Sequence, residues 1–172
     1  MNLRLVAAWL LLSAAAQWLT YAFWVGSAVS TNVTLPLSLL VATGGVIFAI
    51  IAMIHAAART RGFHEAARLG LLLLYAFVAI DFVVFGFANV YFATSQRAQA
   101  SFSEGPISKA TSVYMAVGTL TTSGLGSVTA DTDHARLIVM SQMIVDFLVI
   151  ATTVALVASA MAAKDPVDFD RP

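Results

Sequence analysis

The sequence contains no cysteine in 172 residues. That absence excludes disulfide staples, thiol catalysis and thiolate metal sites. Charge is nearly as scarce. Nine Lys and Arg and nine Asp and Glu make up 10% of the chain, where a soluble domain carries about 25%. The two signs cancel, so no net field draws in nucleic acid or an acidic surface. Histidine occurs only at positions 55, 64 and 134, too scattered to suggest a metal site by spacing. What fills the chain instead is apolar: 60% hydrophobic residues, with a mean hydropathy of +0.88. So few charges cannot cover an 18.2 kDa globule in water, and the chain reads as an all-α integral membrane protein.

Crossing a bilayer takes roughly 20 apolar residues in a helix. Four runs meet that length: 3–29, 35–58 (opened by Pro36 and closed by Arg59 and Arg61), 69–94 and the bulk of 134–164. The first run begins after Arg4 and passes Ser13-Ala14-Ala15-Ala16, which resembles a signal-peptide cleavage site. It continues well beyond those alanines, so a retained helix is expected. A fifth segment, 107–120, is mildly apolar, with Pro106 where a first helical turn tolerates proline. At 1.5 Å per residue it reaches about 21 Å, short of a hydrocarbon core of about 30 Å. Between two full spans it reads as re-entrant, and irregular backbone at that depth must line a cavity or be buried in protein.

Arg59, Arg61 and Arg68 cluster between the second and third spans, Arg4 precedes the first, and the 30–35 loop has no positive charge. The positive-inside rule then puts both termini in the cytoplasm and residues 95–135 outside, with the plasma membrane as the expected location. The tail from 165 to 172 carries three aspartates and is expected to be solvated. It is too short for a soluble ligand-binding domain. The helices before residue 62 lack the repeated arginines that a voltage sensor needs.

Residues 119–127 read Thr-Leu-Thr-Thr-Ser-Gly-Leu-Gly-Ser. The stretch follows the short helix directly and precedes the last span. It resembles the potassium-channel pore signature T-x-T-T-V-G-Y-G-D, with Thr119, Thr121, Thr122, Gly124 and Gly126 in place. The resemblance covers roughly residues 69–163, an outer helix, pore helix, filter and inner helix. It implies a non-enzymatic cation channel that conducts K+ passively, the ion being held at Thr122, Ser123, Gly124 and Leu125, with Gly126 completing the filter and Ser127 at the outer mouth. It also implies a homotetramer in the lipid bilayer, since one loop cannot surround an ion. No cofactor is expected beyond the permeant K+ or Na+. The expected layout is two N-terminal helices over 1–62, a pore domain over 63–164 (pore helix 107–120, filter 121–127, inner helix 134–164) and a tail over 165–172.

A dehydrated cation in a bilayer faces a cost of tens of kcal/mol unless oxygens replace its water. Carbonyls can do so if successive ones turn toward one axis, which requires left-handed backbone angles that glycine adopts without steric cost. The carbonyl end of the short helix would add about half a negative charge.

Three signature positions differ: Ser123 stands for valine, Leu125 for tyrosine and Ser127 for aspartate. Leucine at the tyrosine position occurs in one loop of two-pore-domain channels. Losing the tyrosine hydroxyl removes a hydrogen bond that ties the filter to its surroundings. In several family members the mouth aspartate pairs with a pore-helix glutamate, whose position here is Gly118. Both partners are therefore missing together, and no lone charge is left buried. The departures leave a nonselective monovalent cation pore as the alternative.

Asp81 and Asp146 fall inside spans, where a charge costs about 2.5–3.5 kcal/mol. Asp146 lies twenty residues after Gly126, the interval at which family members carry an inner-helix hinge glycine. Two positions are open to it: a cavity site that concentrates cations, or a hydrogen-bonded place against the pore helix. Phe147, Val154 and Ala158 are the candidates for a cavity-lining face. Asp81 is expected to be a structural tie to a neighbouring helix. His134, Asp131 and Asp133 fall at the outer start of the last span. An intramembrane aspartyl protease would need an acid after Gly-Leu-Gly, where Ser127 stands. A non-conducting accessory subunit is the remaining rival.

Overall fold

The computed structural model describes residues 31–59, 65–124 and 126–162, together with the single positions Leu12, Ala14, Ala15 and Trp18. The first expected span, the 165–172 tail and Leu125 thus fall outside the described residues, apart from those four positions.

Four helices make up the described chain: α1 (Thr31–Arg59), α2 (Glu65–Arg97), α3 (Lys109–Leu120) and α4 (Asp133–Ala162), with a short 3-10 turn at Gln99–Ser101. Within them, two stretches are long and apolar enough to cross a membrane, Ala67–Arg97 and Asp133–Ala162. The stretch so described in α1 is shorter, Gly44–Ala58. Of the four expected spans, the described residues thus show two as membrane-length apolar helices, in an all-helical arrangement, and the first lies outside them. α1 also starts a turn earlier than the apolar run, so Pro36 lies inside it.

α3 starts later than the sequence suggests. Its cap is Ser108, whose Oγ accepts from the Thr111 N–H at 3.0 Å. A serine that satisfies an orphan donor of the first turn outcompetes the proline signal, so Pro106 and Ile107 lie before the helix. Ile107 is pinned instead to the end of α2. Its N–H donates to Ser95 Oγ and its carbonyl accepts from Gln96 Nε2, both at 3.3 Å. At twelve residues α3 is about 18 Å long, so it cannot span.

The core centres on α2. Phe87, Tyr91, Phe102, Met115, Val128 and Val149 are buried together, drawing on α2, the α2–α3 loop, α3, the α3–α4 loop and α4. Phe102 meets Tyr91 edge-on, with ring centroids 6.0 Å apart. A second cluster joins Met53 and Ala56 of α1 to Leu71, Leu72 and Tyr75 of α2. Trp18 stacks edge-on against Phe85 of α2. Of the most apolar stretch of each long helix, 61% is buried in α2 but only 17% in α4. α4 leaves Leu137, Ile144, Phe147 and Val154 more than 60% exposed. In lipid, a face of this kind meets acyl chains or another subunit.

Candidate functional site

The loop that leaves α3 is built from the helix outward. Thr121 closes the helix, its N–H donating to the Val117 carbonyl at 2.9 Å. The Thr122 N–H donates to the Thr119 carbonyl and the Ser123 N–H to the Gly118 carbonyl, each at 3.1 Å. The carbonyl end of α3, with its partial negative charge, is thus tied directly to residues 121–123. Hydroxyls reinforce the join. Thr121 Oγ1 donates to the Val117 carbonyl at 2.9 Å and lies 2.8 Å from Ser123 Oγ. Thr119 Oγ1 is buried against the Met115 carbonyl at 2.9 Å.

Left-handed backbone recurs at every second residue: φ is +55° at Thr122, +85° at Gly124 and +58° at Gly126. The two glycines adopt it freely, and their place in the sequence made that legible. Thr122 does not. A β-branched residue at positive φ is strained, and among the described residues it is the one non-glycine residue in that region. Positive φ at such positions lets carbonyls swing to a common side, as a carbonyl-lined path requires, although in this structure the Gly124 carbonyl does not yet do so.

The glycines also make room. A Cβ on Gly118 would lie 2.7 Å from the Gly124 carbonyl oxygen, and one on Gly126 would lie 2.6 Å from Tyr114 Oη. The Gly124 oxygen is therefore turned against α3. Around Gly124 itself a Cβ would meet nothing within 4 Å, so only its backbone angle requires glycine there.

Behind the loop lies a buried polar network that joins three helices. Tyr91 Oη of α2 donates to Gln142 Oε1 of α4 at 2.6 Å. Gln142 Nε2 donates to the Ala116 carbonyl of α3 at 2.8 Å and to Asp146 Oδ2 at 3.2 Å. Tyr91 and Gln142 are fully buried and Asp146 is 4% exposed. Of the two positions that the sequence leaves open to Asp146, this structure has the buried, hydrogen-bonded one, in the cluster that ties α4 to α3 through Gln142. Its Oδ1 has no partner among the described residues. Phe147, Val154 and Ala158 are exposed on other sides of α4.

A separate set of bonds fixes the end of the loop nearer α4. Residues 101–103 pair antiparallel with 129–131 around a bridge between Phe102 and Ala130, with Asp131 N–H to the Ser101 carbonyl and Ser103 N–H to the Thr129 carbonyl, both 3.0 Å. Ser103 Oγ donates to the Ser127 carbonyl at 3.3 Å and accepts from the Thr129 N–H at 2.9 Å. Ser127 Oγ donates to Glu104 Oε1 at 3.1 Å. At the start of α4, Thr132 Oγ1 accepts from the Ala135 N–H, and Arg136 pairs with Asp133 at 3.4 Å on the exposed surface. The tie expected of Asp81 is not seen at its Oδ2, which is buried without a partner among the described residues.

Sequence reasoning brought forward residues 119–127 and Asp146, and the structure adds Tyr91, Gln142, Tyr114, Ser103 and Glu104 around them. Gln142 had a readable signal, because it sits one helical turn before Asp146 in an otherwise apolar span. Glu104 had one too, as the only acid between Asp81 and Asp131. Tyr114 had none, because an aromatic side chain on a short apolar helix reads equally well as packing.

The family model described as ion channel matches residues 69–163, which is α2 from its second turn through the pore loop to the end of α4. No curated protein and no solved structure matches the chain. With a membrane-length helix, a short capped helix, a loop with positive φ at Thr122, Gly124 and Gly126, and a second membrane-length helix in succession over the matched residues, the chain belongs to the potassium-channel pore family of ion channels.

Proposed function

We propose that four copies of this chain assemble around an axis and conduct K+ passively between the carbonyls of residues 122–126. The observation that carries this reading is the left-handed backbone at Thr122, Gly124 and Gly126 directly after the carboxyl end of α3, in a chain of this family. One such loop offers oxygens on one side of an ion only, and four-fold symmetry closes the ring. The exposed apolar face of α4 supports the same assembly, because a helix so little covered in its own subunit has surface to give to a neighbour. In this reading residues 63–164 form the pore domain, and α1 packs outside it. The termini face the cytoplasm, by the arginine distribution, and the membrane is the plasma membrane.

The Gly124 oxygen would have to rotate away from Gly118 to face an ion. Gly124 allows this, since nothing crowds it. Gly118→Ala bears on the rotation. Its Cβ would overlap the oxygen in its present orientation, at 2.7 Å. Overpacking of that kind costs about 1–3 kcal/mol, enough to disfavour the turned-in state by about fivefold to 150-fold. The expected result is a higher single-channel open probability in Gly118→Ala than in the natural chain. An unchanged or lower value would mean that the oxygen's orientation does not limit conduction.

Native mass spectrometry of the purified chain tests the assembly. Four copies are expected. A dimer, or a single chain bound to a different protein, would instead support an accessory subunit whose pore-like loop does not conduct.

A further inference from the structure

The chain has a serine, Ser127, where the family signature has aspartate, and a carboxylate from the α2–α3 loop lies beside that serine. We infer that Glu104, in the loop between α2 and α3, is the outer-mouth carboxylate of this channel, recruiting cations to the filter entrance and setting external divalent block. The inference rests on the channel reading above.

Three observations place it. Glu104 Oε1 accepts from Ser127 Oγ at 3.1 Å, so the residue at the signature's aspartate position holds the carboxylate. The neighbouring Ser103 fixes the backbone on both sides of that contact, through the Ser127 carbonyl at 3.3 Å and the Thr129 N–H at 2.9 Å. The turn that carries Glu104 is closed by the Gly105 N–H to the Phe102 carbonyl at 2.9 Å, with Gly105 at φ +75° and Phe102 buried in the core. The carboxylate is thus mounted on anchored backbone although its side chain is exposed.

The surroundings suit a mouth rather than an ion pair locked in protein. Glu104 and Ser127 share the wall of an open cavity of about 350 Å³ with Thr111, Tyr114 and Val128. Water reaches the group, so its field acts on solution ions. Repeated four times about the axis, it makes a ring of acids beside the last filter residue. Such a ring raises the local concentration of cations and is screened by salt, with a range of about 10 Å at 0.1 M ionic strength.

The test uses the full chain in planar bilayers. Glu104→Gln keeps an acceptor for Ser127 and removes the charge. Inward K+ current at low ionic strength is expected to fall about threefold, with little change at 1 M salt, as screened surface charge requires. External Mg2+ block should weaken in parallel. The double variant Glu104→Gln with Ser127→Asp returns a carboxylate at the signature position, and should restore both the current and the block. Glu104→Gln with current and Mg2+ block equal to the natural chain at low salt would overturn the assignment while leaving the channel reading intact. A loss of current that is the same at every salt concentration and is not rescued by Ser127→Asp would also overturn it, since it would mark a structural role. Absence of current in the natural chain would remove the channel reading and this inference with it.

Discussion

Gly126→Ala is expected to abolish K+ current while leaving the chain able to insert and assemble. Two independent effects act at this one position. The backbone is left-handed, at φ +58°, where an L side chain costs about 1–2 kcal/mol. The added Cβ would also lie 2.6 Å from Tyr114 Oη, so the ring or the loop must move. Neither effect touches the hydrophobic contacts of α2 and α4 that hold the subunit. Gly124→Ala is the informative companion, because it carries the backbone penalty alone, at φ +85° with open space around it. It should also lose current, and pairing Gly126→Ala with Tyr114→Phe separates the two causes. If the hydroxyl contact dominates, that double variant recovers measurable current; if the backbone angle dominates, it stays silent. Full current in Gly126→Ala itself would count against residues 122–126 as the conduction path.

The second large effect is expected at Gln142. Its amide joins all three helices of the pore unit, bonding Tyr91, the Ala116 carbonyl and Asp146 inside a fully buried site. Hydrogen bonds between membrane helices are worth about 0.6 kcal/mol on average and up to about 1.7. Three of them on one side chain therefore make Gln142→Leu a loss of roughly 2–5 kcal/mol. The loss is compounded because Asp146 Oδ1 is already without a partner and Oδ2 would join it. A clear drop in the melting temperature of the detergent-solubilised assembly is the expected readout. An unchanged melting temperature would show that the network contributes nothing. Asp146→Asn separates bracing from permeation. Its amide oxygen can still accept from Gln142, so both stability and current should stay close to those of the natural chain. A fall in single-channel current at unchanged stability would instead place the carboxylate on the ion path.

How far the sequence reached can be judged residue by residue. The succession of apolar runs around a short helix was legible because bilayer thickness sets a length that each run meets or misses. Gly124 and Gly126 were legible because only glycine adopts their angles freely. The start of α3 departs from the one that Pro106 suggests because two local signals compete there. Pro106 suits a first turn, but Ser108 satisfies a backbone donor three residues on, and the cap prevails. The left-handed angle at Thr122 could not be read, since local propensity opposes it and only the surrounding bonds from Thr121 to Ser123 impose it. The clamp by Ser103 and Glu104 was hidden for a different reason. It depends on an antiparallel pairing between segments more than twenty residues apart, and two short polar stretches carry no periodic signal that would match them. The same limit applies to Asp146. Composition places it within a span, but which side of α4 meets α3 is decided by tertiary packing.

The most direct test of the channel reading is the reversal potential of the purified chain in planar bilayers with K+ on one side and Na+ on the other. The expected value lies near the K+ equilibrium potential, which would mean that a filter with serine, leucine and serine at its three variant positions still orders its carbonyls around a K+ ion. A clear current reversing near zero would contradict K+ selectivity and leave a nonselective cation pore. No current under any condition would contradict the account at its centre.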